Sequence, residues 1–517
     1  MRKLKKLPIG IQTFSKIRED DFLYIDKTQI ALDVIENNQY VFLSRPRRFG
    51  KSLFLDTLKN IFMGNKDLFK GLYIDDKYDF SRTFPVINIS FAKGKFKNRE
   101  QLKKKIISIL EYSQKDFGVE CKEPTSPDIC FEDLIRKVYE KYQQKVVILI
   151  DEYDKPLLDT LEDPQIAGEM RDELVNFYSV IKGSDEYLRF AFLTGVSKFA
   201  KVSVFSGLNN IKDISLSEQY GDICGYTQHD IETSFLPYLE GVDFEKLKEW
   251  YNGYNFLGSN VYNPFDILLF ISENFKYDNY WFETGTPTFL IHLLKQKNYF
   301  IPELENLTVG KELVSSFDVE KIALETILFQ AGYLTIDKLI LNPISETYTY
   351  KLKIPNKEVR ISLNNMMINY LTDDISSKVK KQENIIYALF DADFAKLEQT
   401  LVSLFASIPY HNFTNNKIHQ YEGYYASVIY AYFASLGLPI KTEDPTNLGR
   451  IDITLEVGGK IFIIEFKVTE EDALAQIKEK NYALKYTDEG KDIYLVGINF
   501  DRKKRNISRF HWEKFQG

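Results

Sequence analysis

Four short runs of apolar residues, YVFLSR (40–45), FPVINISFA (84–92), KVVILIDEYD (145–154) and LRFAFLTGVS (188–197), place the tightest limit on how this chain folds. A strand with no polar face has no side to give to water, so it belongs inside a sheet covered on both faces. The segments FEDLIRKVYEKYQQ (131–144) and MRDELVNFYSVIKG (170–183) carry apolar residues at helical spacing between those strands. Strand and helix in alternation predict an α/β fold with a parallel sheet, because parallel strands need long crossovers and helices supply them.

The first strand runs into SRPRRFGKSLFLDTLK (44–59), which has the order strand, glycine-containing turn, lysine, serine, helix. A phosphate-binding loop works this way: backbone N–H groups and a helix N-terminus point at phosphate, the lysine reaches the terminal phosphates and the hydroxyl binds Mg2+. The usual pattern has two glycines; here Arg45 takes the place of the first, leaving Gly50 ahead of Lys51 and Ser52. Arg45 and Pro46 can form a different turn, while Arg47 and Arg48 add positive charge. The expected nucleotide-binding set is Arg47, Arg48, Phe49, Gly50, Lys51, Ser52 and Leu53. The run VVILIDEYD ends in adjacent acids, as a strand does when Asp151 orients Mg2+ with Ser52 and Glu152 activates a water. The fourth run puts Thr194 and Ser197 where a polar group can sense the γ-phosphate. ATP with Mg2+ is the expected cofactor.

At 517 residues the chain exceeds one ordinary core. The element pattern changes near 228, to mainly helical, and again after 400. The expected division is 1–227 for the nucleotide-binding domain, 228–400 for a helical middle region and 401–517 for a C-terminal α/β domain. No apolar stretch is long enough to span a membrane, and the basic start MRKLKKLPIGIQTF has no apolar segment of the secretory kind behind it, so the cytoplasm is the expected location. Cys121, Cys130 and Cys224 lack CxxC spacing and read as free thiols. The five histidines form no HExxH. A net charge of −7 gives no general affinity for nucleic acid, so any such contact falls to local basic runs such as 91–105 and 500–506.

In the C-terminal region, GRIDITLEVGGKIFIIEFKV (449–468) has Gly458 and Gly459 between two strands, a tight-hairpin signal. If they form the turn, Val457 faces Lys460, and counting outward sets Asp452 opposite Glu465. Alternation then puts Lys467 on the face of Glu465. Opposed like charges destabilise a strand pair unless a cation lies between them. An acid, then Glu-x-Lys on the next strand, with Glu422 on an earlier helix, is a metal-nuclease arrangement: carboxylates hold Mg2+ or Mn2+ and the lysine positions water or offsets phosphorane charge.

The segments LPIGIQTFSKIREDDFLYIDKT, FLSRPRRFGKSLFLDTL, ILIDEYDKPL and FLTGVSKFAKVSVFSGLNNI resemble the AAA-ATPase-like domain of a large bacterial family whose loop has the same single-glycine form. In that family the domain is usually joined to a C-terminal PD-(D/E)XK nuclease-like domain. The resemblance covers most of the chain and implies ATP binding and hydrolysis, a restriction-endonuclease-like C-terminal fold, and a supporting role for Gln476 beside Glu422, Asp452, Glu465 and Lys467. The expected activity is an ATPase coupled to a Mg2+-dependent nuclease acting on DNA or RNA, in defence or nucleic-acid processing. The alternative is an ATP-driven signalling or scaffold protein whose nuclease-like domain binds without cutting. A small-molecule kinase fits less well because no acceptor lid is recognisable. The sequence leaves the oligomeric state open.

Overall fold

The computed structural model describes residues 4–198, 210–282, 301–305, 307–311, 323–372, 376–408 and 422–516. The chain forms two compact units, one of residues 1–289 and 309–351, the other of residues 290–308 and 352–517. The segment 228–400 is shared between them.

In the first unit the four apolar runs are strands β1 (Tyr40–Ser44), β2 (Val86–Ser90), β3 (Val146–Asp151) and β4 (Leu188–Gly195), with a two-residue β5 (Lys212–Asp213). They lie in the order β2-β3-β4-β1-β5, and every described pairing is parallel. Alternation sorts each strand's side chains onto two covered faces. Ile148, Ile150 and Leu193 join a cluster with Leu102 and Ile106 of helix α2 (Arg99–Phe117), Phe131 and Leu134 of α3 (Pro127–Tyr142), and Leu174 and Phe177 of α4 (Pro164–Gly183). Phe190 and Phe192 turn the other way, onto Phe62 and Phe54 of α1 (Lys51–Phe62), with ring centroids 5.3 and 5.8 Å apart. Each fully buried Leu, Ile or Phe contributes about 1.5–3 kcal/mol, so both faces hold the sheet. Local signals set the helix ends: the Asn98 side chain accepts from Gln101 N–H at the start of α2, and Asp163 with Pro164 opens α4.

The middle of the chain is mainly helical, including Phe244–Tyr251, Pro264–Ser272 and Lys357–Thr372, and it also holds strands, among them Thr308–Gly310, Thr335–Leu341 and Tyr348–Lys353 of one sheet. No helix among the described residues is long and apolar enough to cross a membrane. The expectation of three free thiols is corrected: Cys121 and Cys130, with Cα atoms 5.2 Å apart, form a disulfide, and Cys224 is a buried free thiol. The turn before α3 folds back to bring two cysteines nine residues apart together, a pairing that a search for CxxC spacing does not test.

The second unit contains helix α5 (Glu422–Ser435) and a mixed sheet of β6 (Ile440–Pro445), β7 (Arg450–Val457), β8 (Lys460–Lys467), β9 (Asp492–Asp501) and β10 (Asn506–Lys514), in that order. Only the β8–β9 pair is parallel, and α6 (Ala473–Glu479) makes the crossover. Strands β6 and β10 take the two outer positions of this sheet. Helix α6 is followed by Asn481, whose φ is +50°, and then by a 3-10 segment, Tyr482–Glu489.

Candidate functional site

The loop between β1 and α1 answers the question of the missing glycine. Arg45 is 1% exposed and faces away from the loop's open side. Its guanidinium donates to the carbonyls of Ser44 (2.9 Å), Ser215 (2.7 Å) and Tyr220 (3.1 Å), and stacks 4.1 Å from the Phe256 ring. Burial pushes its pKa down to about 10, which leaves it charged at neutral pH. Arg45 therefore pins the loop's first residue to the segment 215–221. Phe49 is the second anchor, buried edge-on against Tyr254 at 4.8 Å. On either side of Phe49, Arg48 has φ +66° and Gly50 φ +95°. A Cβ on Gly50 would meet nothing within 4 Å, so its glycine is required by conformation and not by space.

The loop opens onto a cleft of about 530 Å³, a size that suits a nucleotide, lined by Arg47, Arg48, Gly50, Lys51, Ser52 and Leu53. The expected residues thus converge, except that Phe49 serves packing. Glu152, Asp154, Lys155 and Asp159 line the cleft too, as do Gln12 and Phe265; Arg48 stacks 4.7 Å from the Phe265 ring. Lys51 Nζ donates to the carbonyls of Arg45 and Pro46, at 2.9 Å each. Burial lowers its pKa, and Asp151 is the largest opposing influence.

Asp151 is buried at the end of β3, with Oδ1 accepting the Glu152 N–H at 3.0 Å. Glu152 has φ +50°, a conformation that turns its side chain out of the strand's alternation. Burial first, then the Asp151 charge, raises its pKa above the ordinary glutamate value. Thr194 is placed elsewhere: it is fully buried and its hydroxyl donates to the Leu43 carbonyl at 2.8 Å, within the sheet. Ser197 donates its hydroxyl to Asp154, which also accepts the N–H groups of Val196 and Ser197. Asp154 was missed by sequence reasoning; its only signal was a third acid in DEYD. Gly195 leaves room for it, since a Cβ there would collide with the Asp154 carboxylate.

In the second unit the hairpin takes the expected register. Gly458 and Gly459 have φ +55° and +76°, as a two-residue I′ turn requires, and Val457 pairs with Lys460. The pairing runs to Ile453 opposite Ile464, so Asp452 and Glu465 are the next residues along the two strands. Asp452 Oδ2 accepts the Phe466 N–H at 2.8 Å. Glu465 is 2% exposed; Gln476 donates its amide to Oε1, and Lys467 Nζ lies 3.8 Å from the same oxygen. Tyr482 joins this group: burial first, then the Glu465 charge, raises its phenol pKa, with Gln476, Asp452 and Lys467 also acting on it. No sequence argument had singled out Tyr482, although it lies one short turn after α6. Glu422 begins α5, but its side chain falls outside the described residues. Among the described residues no group of three His, Cys, Asp or Glu side chains is arranged to hold a metal. The two carboxylates are hard oxygen donors that suit Mg2+ or Mn2+, since Mg2+ commonly takes one or two carboxylates and completes its shell with water.

Comparison with known proteins finds a domain match in each part of the chain. Residues 8–205 match the family described as predicted AAA-ATPase, and residues 420–510 match the PD-(D/E)XK nuclease superfamily. A protein of Azotobacter chroococcum mcd 1, described as "Uncharacterized protein in vnfD 5'region", is 48% identical over 513 residues, covering 98% of each chain. The chain belongs to the same family as that protein, one that joins an N-terminal AAA-ATPase-like domain to a C-terminal PD-(D/E)XK nuclease superfamily domain.

Proposed function

We propose that the protein hydrolyses ATP in the first unit and cuts nucleic-acid phosphodiester bonds in the second, with nucleotide state regulating cleavage. The observation that carries this reading is the meeting of Asp452, Glu465 and Lys467 of one hairpin, in the register set by its Gly458–Gly459 turn, with Gln476 of α6. Asp452 and Glu465 would hold the divalent cation, which when bound supplies Lewis-acid activation of a water and of the phosphate. Gln476 holds the Glu465 carboxylate in one orientation. Lys467 brings a positive charge to the position where phosphorane charge develops. In the first unit, Lys51 and the N-terminus of α1 bind phosphates, Ser52 and Asp151 would hold Mg2+, and Glu152 accepts the proton of the attacking water. A role in defence or nucleic-acid processing follows from this pairing of activities.

The test is cleavage of single-stranded and duplex DNA and RNA by the purified chain, with and without ATP and Mg2+. Glu465→Ala is expected to abolish cleavage and leave ATP hydrolysis in place. The near-complete burial of Glu465 favours a second reading, in which the nuclease-like domain binds nucleic acid or a partner without cutting. ATP hydrolysis without cleavage of any substrate would select it.

A further inference from the structure

The segment 93–105 carries lysine or arginine at seven positions against a single acid, Glu100, in a chain whose net charge is −7. Four of these charges, at 99, 103, 104 and 105, lie on α2, and three lie in the loop before it. Arg99 and Lys103, on α2, reach the buried Glu173 at 2.8 and 3.8 Å and serve the fold. Lys93, Lys95 and Lys97, in the loop between β2 and α2, are exposed and form no ion pair with a described residue.

Two aromatic anchors hold that loop in an outward bend. Phe91 and Phe96 are both buried, with ring centroids 6.1 Å apart, so the residues between them are displayed to solvent. Gly94, with φ +96°, allows the reversal. The loop also touches the nucleotide cleft. Ser90 pairs with Asp151, and the Phe91 N–H donates to the Asp151 carbonyl at 3.2 Å, so the chain leaves the sheet beside the acidic pair. Ala92 lines the cleft. The Phe96 N–H donates at 3.0 Å to Asp159 Oδ2, the oxygen that also takes Lys155 Nζ at 2.6 Å, and both Lys155 and Asp159 line the cleft with Glu152.

The geometry points to the loop 92–97 as a binding site for the phosphate backbone of a nucleic-acid strand, coupled to the nucleotide cleft through Asp159. The chemistry is that of unpaired ammonium groups at alternate positions of an exposed loop, which neutralise successive phosphates without reading bases. Two acids beside the loop, Asp159 and Glu173, already hold Lys155 and Arg99; Glu100, in the first turn of α2, leaves a clear excess of positive charge on the loop. A strand drawn onto the loop pulls on the Phe96 N–H, and through Asp159 on Lys155 at the rim of the cleft. Strand binding therefore changes both the affinity for nucleotide and its turnover, and nucleotide changes affinity for the strand by the factor by which the strand changes affinity for nucleotide. The inference rests on the reading of the chain as a nucleic-acid enzyme but concerns a different surface from the Asp452–Glu465 site.

The test uses the full chain and a fluorescein-labelled oligothymidylate, followed by anisotropy without divalent metal across a salt series, beside Mg2+-dependent cleavage and ATP hydrolysis with and without the oligonucleotide. The triple variant Lys93→Ala, Lys95→Ala, Lys97→Ala is expected to lose roughly tenfold or more in affinity at low salt, with the slope of log affinity against log salt smaller by about 2. Its ATP hydrolysis without oligonucleotide is unchanged, which shows that it folds, and the response to oligonucleotide disappears. The variant with arginine at the same three positions restores both. Equal affinity and slope in wild type and the alanine variant overturn the loop site, and the cleavage assay then judges the nuclease reading separately. Wild-type binding that never alters ATP hydrolysis overturns the coupling. Absence of oligonucleotide binding in the wild type overturns the site, and with absent cleavage overturns the nuclease reading too.

Discussion

Arg45 shows how one side chain trades a loop's flexibility for fixed attachment. Its guanidinium satisfies carbonyls from residues 44, 215 and 220 and stacks on Phe256. Restoring the missing glycine with Arg45→Gly therefore strands those carbonyls and removes a desolvated cation–π contact, at a cost on the order of 3 kcal/mol. The urea midpoint is expected to fall, with no gain in ATP hydrolysis; a variant as stable as the wild type would remove this role from Arg45. Glu152 gives a second prediction. Its pKa is raised by burial and by Asp151, so its ionised, proton-accepting form is lost at a higher pH than for an exposed glutamate. The acid limb of ATP hydrolysis is expected above the ordinary glutamate range, with activity falling as pH drops through it. Glu152→Gln lowers turnover by roughly 100-fold or more and flattens that limb. The same raised pKa means that ionisation of Glu152 costs the folded state stability as pH rises through its titration. Glu152→Gln is thus expected to melt at neutral pH no lower than the wild type, which a thermal scan checks.

At the scale of elements, the β7–β8 hairpin decides the second site. Strand side chains alternate with period two, so the turn at Gly458 and Gly459 determines which residues share the face of Asp452. One alanine inserted between the glycines either bulges out or shifts β8 by one position; the shift carries Glu465 and Lys467 to the opposite face. Cleavage is expected to be lost in the shifted hairpin while ATP hydrolysis persists, and retained cleavage with a shifted register, read from amide exchange along β8, would separate the carboxylate pair from the chemistry. The loop between β2 and α2 makes the same point about anchors: Phe91 and Phe96, not the lysines, determine where the charges stand.

Across the whole molecule, each unit holds one of the two sites, so regulation means that nucleotide state in one alters turnover in the other. Lys51→Ala removes the ammonium that the proposed function puts on the phosphates; ATP hydrolysis is then expected to fall roughly 100-fold. Mg2+-dependent cleavage should then lose its response to ATP while its ATP-free level remains. Cleavage that responds to ATP equally in Lys51→Ala would break the link. Much of this plan was legible in the sequence. The strands of the parallel sheet, the turn at Gly50 and the pairing of Val457 with Lys460 follow from burial pattern and turn chemistry, which act over a few residues. What the sequence alone did not contain are meetings across long stretches of chain. Arg45 finds Ser215 at a separation of 170 residues, and Thr194 spends its hydroxyl on Leu43, 151 residues away, inside the sheet. Asp154 is claimed by Ser197, and Tyr482 comes to Glu465 through a helix broken at Asn481. Which elements form, and which residue types each presents, could be read from the chain alone, because period and turn conformation are local properties. Which polar groups face the cleft and which face each other depended on folding, because a buried donor or acceptor takes whichever partner packing brings within reach.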